Sequence, residues 1–449
     1  MHTSARFAGT SAIRIADLVG SGAVSPLDVV EDHLARISEL DGELHAFQVV
    51  RAERARAEAA MLARRFDLNH LPLAGVPVAV KDNIDVAGEP TRHGSAATSS
   101  SVATADDELV RRLRDAGAIV IGKTTMPEFA IWGFTESAAY GVTRNPWDPA
   151  RSPGGSTGGG AVAVSAGMAA LALGSDCGGS LRIPAAYCGL VGFKPATGVI
   201  PIAGGAAQHW YGLTVFGPIA ATVADAALAV DVLAGRSPQP VGGAPRPLRI
   251  GVLVKSPSPP STLHAVMRVA VQSAVAQLEA GGHAVTPAHK RYPAQLIPWW
   301  ERRWFAGIAE DAERLAAGRF DQLEPRTRTM VRRGRLLLRT GGPRPGPATR
   351  WRAKAAQWFD DFDVLLTPMV ATPAPQAGTM TGRGYLGTLL PAAKGIPYGQ
   401  AWNLAGFPAI SMPVGLDEAG MPVAVQLVAP PGREHLLLSL AQELEQVNG

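Results

Sequence analysis

The stretch GVPVAVKDN at residues 75–83, followed by DDELVRRLRDAGAIVIGKT at residues 106–124, decides the fold class. Val76, Val78 and Val80 alternate with small residues, the period of a strand, and that run ends at Lys81. A helix over 106–116, a strand AIVI at 118–121 and a loop from Gly122 are expected next. Strand and helix in alternation predict an α/β fold with at least a partly parallel sheet. Upstream, Ser25 and Pro26 start a helix whose apolar positions Leu27, Val30, Leu34 and Ile37 recur at helical spacing up to Gly42. A charged helix over 51–65 follows it. Downstream, residues 145–198 are rich in Gly, Ser and Pro, yet enclose an Ala-rich segment at 159–173 that reads as helix. Residues 235–247 read as a connector, 249–254 as a strand and 263–278 as a helix. The segment 292–352 is expected to be helical, Trp-bearing and basic, interrupted by GGPRPGP at 341–347. A strand at 363–367, a hairpin of PAISMPVG and PVAVQLVA around the turn at 417–420, and a helix at 434–445 complete the chain.

With 47% apolar and 18% charged residues among 449, the chain is neither a disordered tail nor a membrane bundle. Its 50 Gly and 36 Pro suit a loop-rich globular enzyme. A net charge of +4 gives no case for a nucleic-acid partner. Residues 326–354 hold nine Arg and one Lys without an acid, a pattern that reads as a solvated helix face rather than a polyanion patch. Cys177 and Cys188 fit no disulfide framework, redox pair or zinc site, which points to a reducing compartment. Arg6, Arg14 and Asp17 interrupt the apolar core that a signal peptide needs, and the apolar run 161–173 is too short to cross a bilayer. A soluble cytoplasmic protein is expected.

Two strings mislead. GAIVIGKT at 117–124 satisfies the phosphate-loop pattern, but the residues between its glycines are strand formers and Pro127 follows. GGSTG at 154–158 satisfies the nucleophile-elbow pattern, but Pro146, Pro149 and Pro153 stand where a strand is required, and no histidine has a site-like context.

Three polar residues in unusual surroundings remain. Lys81 ends an apolar strand, Ser156 lies among five glycines, and Ser180 ends DCGGS. A serine hydroxyl cleaves an amide only if its proton is removed, the oxyanion is stabilised and a proton reaches the departing amine. Gly178, Gly179 and Ser180 can turn successive N–H groups toward one point, because glycine allows the positive φ that such a nest needs. Losing one such donor costs about 3 kcal/mol of barrier. A free lysine, with a pKa of about 10.4, is almost wholly charged at neutral pH. Burial beside the VPVAV strand would lower that value and make Lys81 a base, with Ser156 bridging it to Ser180.

These residues sit in strings that closely resemble the amidase signature enzymes: GVPVAVKDNIDVAG at 75–88 and SPGGSTGGGAVAVSAGMAALALGSDCGGSLRIPAAYCGLVGFKPATG at 152–198. Weaker resemblance extends to TTMPEFA at 124–130, DVLLTP at 363–368, and NLAGFPAISMPVG with PVAVQLVAPPG over 403–432. The resemblance implies one amidase signature domain over 1–449, with the signature core at about 71–200 and a variable helical, substrate-facing flap at about 240–360. It also implies the family's α/β/α fold, a mixed central sheet surrounded by helices. Ser180 stands where the family has its acylated nucleophile, Ser156 where it has a serine after a cis peptide bond, and Lys81 where it has the base. The backbone N–H groups of Cys177, Gly178, Gly179 and Ser180 match the oxyanion loop. Thr157, Asp176 and Arg182 match supporting positions. Thr157 replaces the usual second serine of the family's string, and Cys177 stands where Thr or Ile is more common.

The expected activity is a serine hydrolase acting on aryl or alkyl amides, with esters and carbamates in chemical reach, and with no cofactor or metal. Met126, Phe129, Trp132, Gln400 and Trp402 are candidate pocket residues; Trp299, Trp300 and Trp304 line the flap or pack its helix. The expected partner is a small-molecule amide, ester or carbamate, with no membrane and no nucleic acid; a homodimer is left open. The rival reading is the A-type subunit of a glutamine-dependent aminoacyl-tRNA amidotransferase, which shares this core. The basic segment favours it, and the lack of a clear glutamine-recognition signature opposes it.

Overall fold

The computed structural model describes residues 6–244, 247–258 and 260–448. Serine hydroxyls start the first two helices: Ser11 and Ser25 accept the N–H groups of Arg14 and Leu27, opening α1 (Ala12–Gly20) and α2 (Pro26–Leu44). α2 passes Gly42, the predicted stop, and closes on His45, whose φ of 52° is left-handed. β1 (Phe47–Val50) and α3 (Ala52–Leu62) follow. α3 ends before the predicted Arg65, which turns aside to pair with Asp67. β2 (Pro77–Lys81), α4 (Glu108–Asp115) and β3 (Ile119–Thr124) form the predicted strand, helix and strand, with β2 and β3 parallel. β3 continues through Gly122, Lys123 and Thr124, where the sequence predicts a loop. The cause is tertiary: β1 joins it antiparallel, pairing Val50 with Gly122, and Lys123 is buried in an ion pair with Asp82 at 3.0 Å. The phosphate-loop string is therefore strand.

A short ribbon of β4 (Glu136–Ser137) and β5 (Gly141–Val142) precedes the Gly/Ser-rich core. There the Ala-rich run 159–173 is not one helix. α5 (Gly158–Ser165) stops, Gly167 turns with a φ of 70°, and β6 (Leu171–Asp176) begins. α6 (Arg182–Cys188), β7 (Val191–Lys194), β8 (Val215–Ala220) and α7 (Val223–Ala234) complete this half. Held between β2 and β8, β6 is buried on both faces, so it shows no alternation to distinguish it from a helix.

Beyond the connector, of which residues 245 and 246 lie outside the described residues, come β9 (Arg249–Val252), α8 (Ala265–Ala280) and β10 (Ala284–Pro287). The basic segment forms α9 (Leu296–Leu315), α10 (Pro325–Arg339) and α11 (Pro345–Ala356). Its break ends early, because Pro345 opens α11 in the first turn, where a missing N–H does no harm. One of its arginines, Arg326, is engaged inside the fold, whereas Arg333 and Arg350 are exposed, as a solvated helix face requires. Arg326 is buried against Glu324 and lies 5.0 Å from the centre of the Phe134 ring, while Arg333, Arg335 and Arg350 lie over Tyr385, Phe320 and Trp299. β11 (Val364–Pro368), α12 (Tyr385–Gly395), α13 (Gln400–Ala405), the predicted hairpin of β12 (Ala409–Leu416) and β13 (Pro422–Val428), and α14 (Glu434–Asn448) end the chain.

Eleven strands make one mixed sheet in the order β1-β3-β2-β6-β8-β7-β12-β13-β11-β9-β10, surrounded by helices. β2 and β6 lie side by side and parallel, so the chain leaves both at the same edge, carrying Lys81 and Asp176 there together. An apolar cluster beneath α9 to α11 holds Trp132, Trp300, Trp304, Trp351, Trp358 and Trp402. No described helix is long and apolar enough to cross a membrane.

Candidate active site

Every residue of β2 is buried, and Lys81 at its end is wholly so. Its amine donates to Ser156 Oγ (2.8 Å), Ser175 Oγ (2.9 Å) and Thr157 Oγ1 (3.0 Å), and lies 3.4 Å from the Ser175 carbonyl. All four partners are neutral, and among the described residues no carboxylate pairs with it. Burial pulls the Lys81 pKa down to about 7, with the negative charge of Asp176 resisting the fall. An amine in this state is divided between its charged and neutral forms near neutral pH.

The Gly155–Ser156 peptide is cis, as the resemblance implies. Ser156 and Thr157 lead into α5, whose first residue is Gly158. Thr157 Oγ1 donates onward to the Ser175 carbonyl at 3.2 Å, and Asn83 Nδ2 donates to Ser175 Oγ at 3.2 Å. Sequence reasoning misses both Ser175 and Asn83. Ser175 carries a weak signal, a hydroxyl one residue before Asp176 in an otherwise apolar strand; Asn83 carries none beyond its place after Lys81.

At the end of β6 the chain turns through Cys177, Gly178, Gly179 and Ser180, with Gly179 at a φ of 124°, a conformation that side chains other than hydrogen rarely adopt. The Asp176 carboxylate shapes this turn by accepting the N–H groups of Gly179 (2.7 Å) and Leu181 (3.1 Å). This corrects one expectation: the Gly179 N–H, expected in the oxyanion nest, is spent on Asp176. The N–H groups of Cys177, Gly178 and Ser180 make no hydrogen bond among the described residues.

Arg182 grips Asp176 with two bonds of 2.9 Å, both side chains being fully buried. Asn403 Nδ2 adds bonds of 2.9 Å to the Asp176 carbonyl and to Oδ1, and Arg182 reaches Gln426 and Asn403 beyond. Burial alone would raise the Asp176 pKa. The Arg182 charge and hydrogen bonds outweigh it, with Lys194 and Asn403 assisting, and hold the carboxyl well below its ordinary range. Asp176 thus remains a fixed anion, and its role is to hold the turn.

Ser180 makes no side-chain hydrogen bond among the described residues and lines a cavity of about 80 Å³ with Cys177 and Gly178. Trp132 and Gln400, two of the expected pocket residues, line it as well, with Trp300 and Trp304 of α9. Trp300 also donates its indole N–H to the Cys177 carbonyl at 2.8 Å, which ties the helix to the turn. Trp299 instead packs under Arg350. A second cavity of about 120 Å³, lined by Asn83, Ser175 and His93 among others, adjoins the first at Cys177, and the expected Phe129 belongs to this one. Met126 and Trp402 line neither: Met126 is buried, and Trp402 is enclosed by Tyr292, Trp351, Trp358 and Phe407. Burial pushes the Cys177 thiol up to about 12, an unreactive state.

The sequence model of the Amidase family matches residues 28–438. The chain belongs to the Amidase family. It is 43% identical to AmiB2 of Mycobacterium tuberculosis, an amidase by name, over 99% of this chain and 96% of that one. It is also 35% identical to the A-type subunit of a Synechococcus glutamyl-tRNA(Gln) amidotransferase, over 95% of this chain and 94% of that protein. Among solved structures, 6-aminohexanoate cyclic dimer hydrolase complexed with substrate superposes with a TM-score of 0.84 at 31% identity, covering 98% and 97% of the two chains. As an Amidase-family enzyme, the protein acts on carbon–nitrogen bonds.

Proposed function

We propose that this amidase is a serine hydrolase that cleaves amides through an acyl-enzyme on Ser180. The observation that carries the reading is the buried Lys81 amine, bound only by neutral groups and 2.8 Å from Ser156 Oγ. In its neutral form Lys81 takes the proton of Ser156, and Ser156 takes that of Ser180 as Ser180 Oγ attacks the carbonyl carbon. The N–H groups of Cys177, Gly178 and Ser180 then stabilise the oxyanion. The proton returns through Ser156 to the amine nitrogen, the C–N bond breaks and the amine leaves. Water, deprotonated through the same pair, attacks the Ser180 ester and releases the acid.

The apolar walls of the Ser180 cavity favour aryl or alkyl groups, and esters and carbamates are within reach of the same steps. A second reading, an A-type subunit of a glutamine-dependent aminoacyl-tRNA amidotransferase, is supported by the Synechococcus relative. Against it, Glu301, the charged side chain lining the Ser180 cavity, has the wrong sign to pair with glutamine's carboxylate.

The test is intact mass and chromophore release with p-nitroanilides, p-nitrophenyl esters and an aryl carbamate. Wild type should gain an acyl mass and turn over at least one of them, and Ser180→Ala should do neither. Turnover by Ser180→Ala at the wild-type rate would overturn the nucleophile. Salt-sensitive RNA retention with tRNA-stimulated glutaminase activity would favour the second reading.

A further inference from the structure

The Ser180 cavity is aliphatic and aromatic over most of its wall, yet two of its lining side chains carry hydrogen-bond acceptors without partners. The first is the carboxylate of Glu301 on α9, which makes no hydrogen bond or ion pair among the described residues. The second is Gln400 Oε1, buried and unbonded; its orientation is set because the amide nitrogen of the same side chain donates to the Ile396 carbonyl at 3.1 Å. Glu301 lies on the same helix as Trp300 and Trp304, which form the apolar wall, and its side chain is half-buried there with no ion pair among the described residues. Arg333 lies over the Tyr385 ring, its guanidinium 4.3 Å from the ring centre, and only partly offsets the burial that raises the Glu301 pKa. A buried acceptor left unpaired is unfavourable, and a ligand that supplies a donor removes the penalty.

We infer that Glu301 and Gln400 form an acceptor site for a positively charged or N–H-bearing end of the substrate, separated from the scissile carbonyl by an apolar spacer. The class so defined is amides of ω-amino acids and of related amine-bearing acyl groups. Uncharged alkyl amides fit the walls but leave both acceptors bare, and acids with a terminal carboxylate are repelled by Glu301. This inference rests on the acyl-enzyme reading for the place of the scissile bond, and it assigns Glu301 to specificity, not to chemistry.

The experiment compares ω-aminoalkanoyl p-nitroanilides, from butanoyl to octanoyl, with methyl-terminated partners of equal length. Wild type should favour the amine series at one length by about tenfold or more in kcat/KM, the scale of a hydrogen bond to a charged group. Glu301→Leu should collapse that ratio, and Glu301→Gln should reduce it, the loss falling mainly in KM. Because the readout is a ratio, a general loss of fold cancels. An unchanged ratio in Glu301→Leu, or a wild type that prefers the methyl series at every length, overturns the inference. Calorimetric binding of n-alkylammonium ions against n-alkanols, to wild type and to Glu301→Gln, decides the matter without turnover. Wild type should hold the ammonium more tightly and Glu301→Gln should lose that advantage; equal binding by both proteins overturns the site. Selective ammonium binding with no hydrolysis of either series would sustain the site while sinking the hydrolase reading.

Discussion

Lys81 shows how one residue sets both activity and stability. Its folded pKa of about 7 lies below the ordinary lysine value of 10.5, so between those limits the unfolded chain binds more protons than the folded one. Stability contributed by this group therefore rises with pH across that window, and below about pH 7 the penalty of burying the charge is constant. Activity should follow the neutral amine: kcat/KM is expected to climb about tenfold per pH unit up to about pH 7 and then level off. A profile flat from about pH 5 to about pH 9 would remove Lys81 as the base. Lys81→Met should lose about 10³-fold or more in kcat while its melting temperature at pH 7 stays equal or higher, since a buried amine is exchanged for an apolar chain of similar size. A large fall in melting temperature would show that the amine holds Ser156, Thr157 and Ser175 together more than it destabilises them.

At the scale of elements, the site depends on how closely α13 approaches the turn after β6. Gly399 precedes α13, and a Cβ there would lie 2.2 Å from the Gly178 carbonyl oxygen. Its backbone is not left-handed, so an alanine meets no strain of its own and acts through that contact alone. Gly399→Ala should displace the turn and lower kcat about 10²-fold, with a modest fall in melting temperature, measurable by steady-state kinetics and calorimetry. Wild-type kcat in this variant would mean that the turn yields without harm to the reaction. The same scale explains where sequence reading stops short. The strand, helix and strand unit at 77–124 and the hairpin of β12 and β13 are legible because one face or one turn marks them. β6 reads as helix because a strand covered on both faces has no period, and Gly122 to Thr124 read as loop because their partner, β1, lies far away in sequence.

For the whole molecule, the order of the sheet matters more than the order of the chain. The hairpin of β12 and β13 lies between β7 and β11, so it joins the strands of the first half to those of the second. Asn403 and Gln426 come from the same late part of the chain and complete the bonds around Asp176 and Arg182. We propose on this ground that the chain folds as one unit. A fragment ending after α7 would expose β7 as an open edge and leave Arg182 without its later partners, and it should be insoluble or lack near-ultraviolet circular dichroism. A soluble fragment with a cooperative melt would instead divide the chain into two domains.

From the sequence alone came the α/β class, the family resemblance, and the candidate cluster of Lys81, Ser156 and Ser180, because these are written in local strings whose spacing and composition carry the chemistry. Tertiary structure alone decided that Lys81 is bound by Ser175 as well as Ser156, and that Gly179 serves Asp176 rather than an oxyanion. It also decided that Trp300, Trp304 and Glu301 line the Ser180 cavity while Trp402 does not. The reason is physical: desolvation, hydrogen-bond competition and cavity walls depend on groups up to hundreds of residues apart, which meet only when a mixed sheet brings distant strands side by side.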